Sequence, residues 1–232
     1  MRTKTLLLAA VALATGISAS AAQTVYSVNA VGYVNLSLKT GFNLISNPLN
    51  GTNNNINTII PVALGDSVLF RWDAPAQTFG QADTYVVDAD PAVTGWYEGG
   101  GSKSASVIAP GEGFFIQSPG ATTLTFVGEV PQGNVTNAVP PNFSFKSSIV
   151  PQSVGIVSVG FPGVGDMIYQ AWDATAQTYA QGLTYVDDPD PQIRGFYTGG
   201  GTKVDPTPAV GEGFLIYNPG PTVNWGRSFS VN

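Results

Sequence analysis

Two short acidic loops hold the densest set of groups able to do chemistry in this chain of 232 residues. Asp88 and Asp90 stand before Pro91, and Asp187, Asp188 and Asp190 are grouped around Pro189 and Pro191. Hard carboxylate oxygens at such spacing suit a calcium ion, which takes about six to eight oxygen ligands. The twelve-residue calcium loop with its closing Glu is missing, however, and the same residues serve as turn formers, Asp accepting from backbone N–H groups while Pro sets the bend. Each loop runs into an aromatic pair, Trp96 and Tyr97 in one case and Phe196 and Tyr197 in the other. Rings with apolar faces and polar edges stack on sugars, so these four are the ligand-binding candidates; the alternative is that they belong to a core.

Composition removes more chemistry than it adds. Neither Cys nor His occurs, which excludes disulfides, thiolate metal sites, cysteine nucleophiles and any triad built on histidine. Glu112 and Glu212 each sit between two glycines. A glycosidase needs two carboxylates about 5–10 Å apart, and one Glu per repeat meets that only if the repeats pack about a twofold axis; otherwise both are turn residues. Lys103 and Lys203 read as solvated loop lysines. The run Gly99-Gly100-Gly101 does not follow the strand, glycine and helix order of a phosphate cradle. No cofactor other than calcium is implied, and the expectation is a protein that is not an enzyme.

These groups are held by a duplicated scaffold. Residues 65–120 recur one hundred positions on as residues 165–220, without a gap and with about half the positions identical. With 28 Gly, 17 Pro and only 10% charged residues, many short strands joined by tight turns is the expected construction. Val34, Leu36 and Leu38 alternate as in a half-buried strand, residues 42–46 form a second, and Ile56, Ile59 and Ile60 mark one short helix capped by Asn and ended by Pro61. In each repeat a strand ending on Trp72 or Trp172 leads into a hairpin, and these two indoles are expected in the sandwich cores. Pro119-Gly120 and Pro219-Gly220 read as type II turns. The expected fold is therefore all-β: two tandem homologous antiparallel β-sandwich-like domains with at most one short helix. The boundaries fall at 1–22 for a leader, 23–130 for the first domain, 131–141 for a Pro- and Asn-rich linker, and 142–232 for the second domain.

The leader has a basic start at Arg2 and Lys4, an apolar run from Leu6 to Leu13 and small residues up to Ala22, the pattern of a secretory signal peptide. Its removal would leave seven basic residues against fifteen acidic ones, a net charge of −8. Such a charge disfavours nucleic acid and anionic membrane as partners, and no later apolar run is long enough to form a transmembrane span.

Five segments, NAVGYVN at 29–35, FNLIS at 42–46, VPQ at 150–152, GEGF at 211–214 and WGRSFSV at 225–231, resemble those of a group of small secreted proteins of Verrucomicrobia-type bacteria. The order FNLIS, Trp72-Asp73, then PGEGFF at 110–115 is more loosely similar to β-sandwich modules of bacterial surface proteins. The resemblance implies secretion, to the periplasm, the surface or the medium, and all-β architecture, with no catalytic residues. The expected function is a non-catalytic structural or surface-associated protein of the envelope or extracellular matrix, partnering itself or other matrix proteins. The alternative is a carbohydrate-binding protein that takes polysaccharide on the loop aromatics.

Overall fold

Along β1 (Val31–Leu38) the alternation places Val34, Leu36 and Leu38 on the inward face, against exposed Tyr33, Asn35 and Ser37. The computed structural model describes residues 30–231, so the leader at 1–22 lies outside the described residues. β1 pairs antiparallel with β8 (Thr122–Glu129), Leu36 opposite Leu124. This ribbon covers a sheet ordered β2 (Gly41–Ser46), β7 (Gly113–Ser118), β3 (Val68–Asp73), β5 (Asp83–Val86) and β6 (Gly95–Glu98), with β4 (Thr78–Phe79) folded back on β3. Leu38, Leu124 and Phe126 from the ribbon meet Leu69, Tyr85, Trp96, Phe114 and Ile116 from the sheet in one buried cluster, each large side chain contributing about 1.5–3 kcal/mol. The short helix α1 (Ile56–Ile59) plugs this core with Ile56 and Ile59, and the Asn55 side chain caps it by accepting from the Asn57 backbone N–H at 2.9 Å.

The second half repeats the plan. Its sheet runs β10 (Asn142–Lys146), β16 (Phe214–Asn218), β11 (Ile168–Asp173), β13 (Leu183–Val186), β14 (Gly195–Tyr197) and β15 (Lys203–Val204), with β12 (Thr178–Tyr179) on β11. The covering ribbon is β9 (Gly133–Val139) with β17 (Val223–Phe229). Here the segment 156–160 is a run of turns where the first half has its helix. Asp205 replaces the Asn cap, accepting from Val157 N at 2.8 Å and Ser158 N at 3.0 Å. The described chain is thus all-β, two homologous antiparallel sandwich-like halves with one short helix.

Three local expectations change. The stretch at 131–141, read as a linker for its Pro and Asn content, contains β9, because Val135, Asn137 and Val139 alternate inward and find a partner strand in β17. A type II turn needs positive φ at its glycine, and neither Gly120 nor Gly220 has it. Side chains bend the chain there instead, Ser118 Oγ donating to Gly120 O at 2.7 Å and Asn218 Oδ1 accepting from Gly220 N at 3.0 Å. Trp72 and Trp172 are half-buried and lie between the halves rather than inside either sandwich.

The halves dock reciprocally. Trp72 Nε1 donates to Phe143 O at 2.8 Å, and Trp172 Nε1 donates to Phe42 O at 2.9 Å. The Gln77 amide receives Phe143 N and donates to Phe143 O, while Gln177 does the same to Phe42. Leu44, Phe115 and Phe145 fill the centre of this interface. The same patch meets itself from both sides, the signature of a twofold relation, here within one chain.

The triple-glycine loops turn tightly without close approach. Gly101 has φ +82° and Gly201 φ +80°, and open space surrounds the Cβ position of both Gly100 and Gly101. Gly101→Ala is expected to cost about 1–2 kcal/mol from the left-handed backbone alone, whereas Gly100→Ala leaves the urea midpoint unchanged. Equal midpoints for the two variants would refute the assignment.

Candidate functional site

Docking creates two related crossings, where the turn before β7 or β16 of one half meets β2 or β10 of the other. Glu112 bridges to Lys146 in one, and Glu212 bridges to Ile45 in the other. Strand register sets the equivalences: Ile45 lies opposite Phe114 and Lys146 opposite Phe214, so Lys146 occupies the place of Ile45. By the same logic Leu36 corresponds to Asn137, each against the glycine of the facing turn, Gly211 or Gly111.

The two crossings are furnished differently. One has apolar residues, Leu36 and Ile45 packed on the core of the first half and Ala171 and Leu183 on that of the second. At the corresponding positions the other has Asn137, Lys146, Arg71 and Asp83, and it opens into a cleft of about 950 Å³. Glu98 and Ser106 line it too, where the second half carries Thr198 and Pro206. This volume lies within the range of small-molecule sites, which favour interfaces between domains.

Inside the cleft, part of the charge is already committed. Arg71 Nε meets Glu112 Oε1 at 3.4 Å, and the other Glu112 oxygen accepts from Ala109 N at 3.4 Å. Asp73 accepts from Ala76 N at 3.0 Å, and Glu98 Oε1 accepts from Ala105 N at 3.3 Å. Asp83, only 2% exposed, accepts at one oxygen from Ser106 Oγ at 2.8 Å. The Lys146 ammonium has no hydrogen-bond partner among the described residues. Burial pushes its ammonium below the ordinary lysine value, and the nearby Glu112 charge opposes that shift. Ser144, 2% exposed, lines the same cleft with an Oγ that no described group satisfies. An unpartnered ammonium beside an open volume at the junction of the halves makes this cleft the candidate site.

The sequence candidates fare differently. Trp96 and Phe196 are 0% exposed. The Trp96 indole N–H donates to Ile60 O at 2.9 Å and its ring packs 5.2 Å from Tyr85, so both residues are core and cannot stack on a sugar. Tyr97 and Tyr197 are half-buried, their hydroxyls donating to the carbonyls of Val93 and Ile193. In the first acidic loop one oxygen of each Asp serves the loop's own backbone: Asp88 Oδ1 accepts from Asp90 N and Asp90 Oδ1 from Ala92 N. Asp188 and Asp190 repeat the arrangement, and Asp187 pairs with Arg194 at 3.3 Å. No three acidic side chains converge as a metal site among the described residues. Glu112 and Glu212 are turn residues that also mark the two crossings.

Repetition hid the cleft from sequence reasoning. Attention falls on what recurs, and Arg71, Asp83, Glu98 and Lys146 are charges that one copy has and the other lacks. That difference is the signal that would have found them.

Burial also shapes the alkaline behaviour of the docking interface. Tyr179 packs 5.0 Å from Trp172, and burial pushes its phenol up to about 12. An unfolded tyrosine ionises near pH 10. Between the two values only the unfolded state gives up its proton, so stability falls as pH rises through that window. Burial raises Tyr169 and Tyr185 as well, adding to the same slope. Tyr179→Phe, which restores the type of residue the first half has at Phe79, is expected to flatten the fall of the urea midpoint between about pH 10 and about pH 12. Parallel curves for the two proteins would contradict it.

Among the described residues no helix is long and apolar enough to cross a membrane. No family profile, curated protein or solved structure matches this chain.

Proposed function

We propose that this protein is an exported, non-catalytic, surface- or matrix-associated bacterial protein that holds a polar ligand in the cleft between Arg71 and Lys146. One observation carries the reading: at one crossing a duplicated scaffold has apolar residues, Leu36, Ile45, Ala171 and Leu183, packed on the cores of their halves, and at the corresponding positions of the other it places Asn137, Lys146, Arg71 and Asp83 around an open volume. Filling would be the cheaper solution, because apolar packing of such a volume is worth more than charges without partners. The reciprocal clasp of Trp72, Gln77, Trp172 and Gln177 suits a rigid component of an envelope or matrix, since it turns two small sandwiches into one body.

Trp72 lines the cleft, so tryptophan fluorescence reports on its occupancy. Titration with panels of oligosaccharides, amino acids and short peptides is expected to give saturable binding at one site per chain, lost in Arg71→Ala combined with Lys146→Ile. Binding that survives in this variant, or no response to any panel member, would overturn the cleft as the functional site. Export is tested by fractionating the native host and sequencing the amino terminus: a mature chain starting near Ala22 is expected, and an uncleaved cytoplasmic chain would refute it.

A further inference from the structure

We propose that the ligand of this cleft is zwitterionic, a short peptide whose free amino group meets Asp83 and Glu98 and whose free carboxylate meets Lys146 and the terminal nitrogens of Arg71. The proposal rests on the cleft being a binding site and adds what it selects.

Arg71, Asp83 and Glu98 share one face of the first half's sheet, and Lys146 comes from β10 of the second. Asp83 and Glu98 are direct cross-strand partners on β5 and β6. Like charges in that relation repel, and the second half avoids the pair with Leu183 and Thr198. Each has one oxygen engaged within the protein and one with no partner among the described residues. Two adjacent acceptors of this kind are complementary to an ammonium group. The Lys146 ammonium, on β10 of the second half, has no hydrogen-bond partner among the described residues, and Arg71, on β3 beside Asp83, commits Nε to Glu112 while its two terminal nitrogens bond to nothing described. They are complementary to a carboxylate, which guanidinium groups bind through paired N–H donors. Asp73 is exposed to solvent, and Glu112 has both oxygens engaged, by Ala109 N and by Arg71. Asp83 and Glu98 are the acids of the cleft that are withdrawn from solvent and keep an oxygen free, and they stand with two cations. A neutral sugar would leave both pairs desolvated without counter-charges, a penalty that a zwitterion removes. The volume of about 950 Å³ has room for a peptide of several residues.

The test measures binding of tri-alanine, its amino-terminal acetyl form, its carboxyl-terminal amide and the neutral sugar cellotriose by calorimetry at low salt. Tri-alanine is expected to bind, with each blocked form at least about tenfold weaker, the scale of one charged hydrogen bond. Lys146→Ile should erase the preference for the free carboxylate alone, and Asp83→Leu the preference for the free amino group alone. Both variants install the residue type that the other half carries, Ile45 and Leu183, and thermal melts verify their folding. Equal binding of free and blocked peptides would overturn the inference. Cellotriose binding that weakens in both variants, with no peptide binding, would overturn it while leaving the cleft as a site. Silence from all four probes in a protein that binds nothing else would remove both.

Discussion

Trp96→Ala is expected to destabilise the protein by about 3–5 kcal/mol, the scale of emptying a large aromatic site in a closed core. Three losses combine. The indole is 0% exposed and packs edge-on against Tyr85, so its removal leaves a cavity that α1 and β5 can close only by leaving their own partners. Its N–H is the donor to Ile60 O at 2.9 Å, and an orphaned buried carbonyl costs about 1–3 kcal/mol more than one returned to water. The position also anchors the helix, because Asn57 accepts from Trp96 N at 2.7 Å and donates to Trp96 O at 3.3 Å. Trp96→Phe, the residue type the second half has at Phe196, keeps most of the packing and is expected to cost about half as much. Urea unfolding measures both. A loss below about 1 kcal/mol for the alanine variant would contradict the core assignment, since that is the range of surface changes. Polysaccharide binding abolished by Trp96→Ala in a fully stable protein would restore the stacking reading that burial now disfavours.

Removing both interface indoles, Trp72→Ala with Trp172→Ala, is expected to uncouple the halves. Each ring is half-buried rather than enclosed, so about 2–3 kcal/mol per residue is the expected loss. Trp172 packs 5.0 Å from Phe115 and Trp72 lies 5.6 Å from Phe145; without them the central aromatics face solvent. The bonds to Phe42 O and Phe143 O then rest on Gln177 and Gln77 alone. Each half keeps its own core, so the chain should still fold, now with two thermal transitions in place of one. Calorimetry decides: a single transition with equal calorimetric and van't Hoff enthalpies in the double variant would show that the clasp does not couple the halves. Because Trp72 also lines the cleft, peptide affinity is expected to fall with it, whereas Trp172→Ala alone spares the wall.

Much of the fold was readable because it is written in local terms. Alternation at Val34, Leu36 and Leu38 needs only the two-residue period of a strand, and the Asn55 cap with Ile56 and Ile59 needs only one turn of helix. The linker at 131–141 was misread for the same reason. Its Pro and Asn content is a local signal, while β9 exists because β17, about ninety residues away, supplies its partner groups. The aromatics divide likewise. Strand context favours a core place for Trp72 over Trp96, yet the packing of sheet on ribbon encloses Trp96, while the docking of half on half claims Trp72.

By itself, the sequence determined a duplicated all-β chain without histidine or cysteine chemistry, because composition, a period of one hundred residues and turn signals are properties of the chain alone. Tertiary structure decided where the function can reside. Arg71, Asp83, Glu98 and Lys146 are separated by up to seventy-five residues, and they share one cleft only because two sandwiches clasp each other about a twofold axis. That relation places Lys146 opposite the Glu112 turn of the other half. No local rule carries it, since it depends on free energy gained when two separately formed surfaces exclude water together.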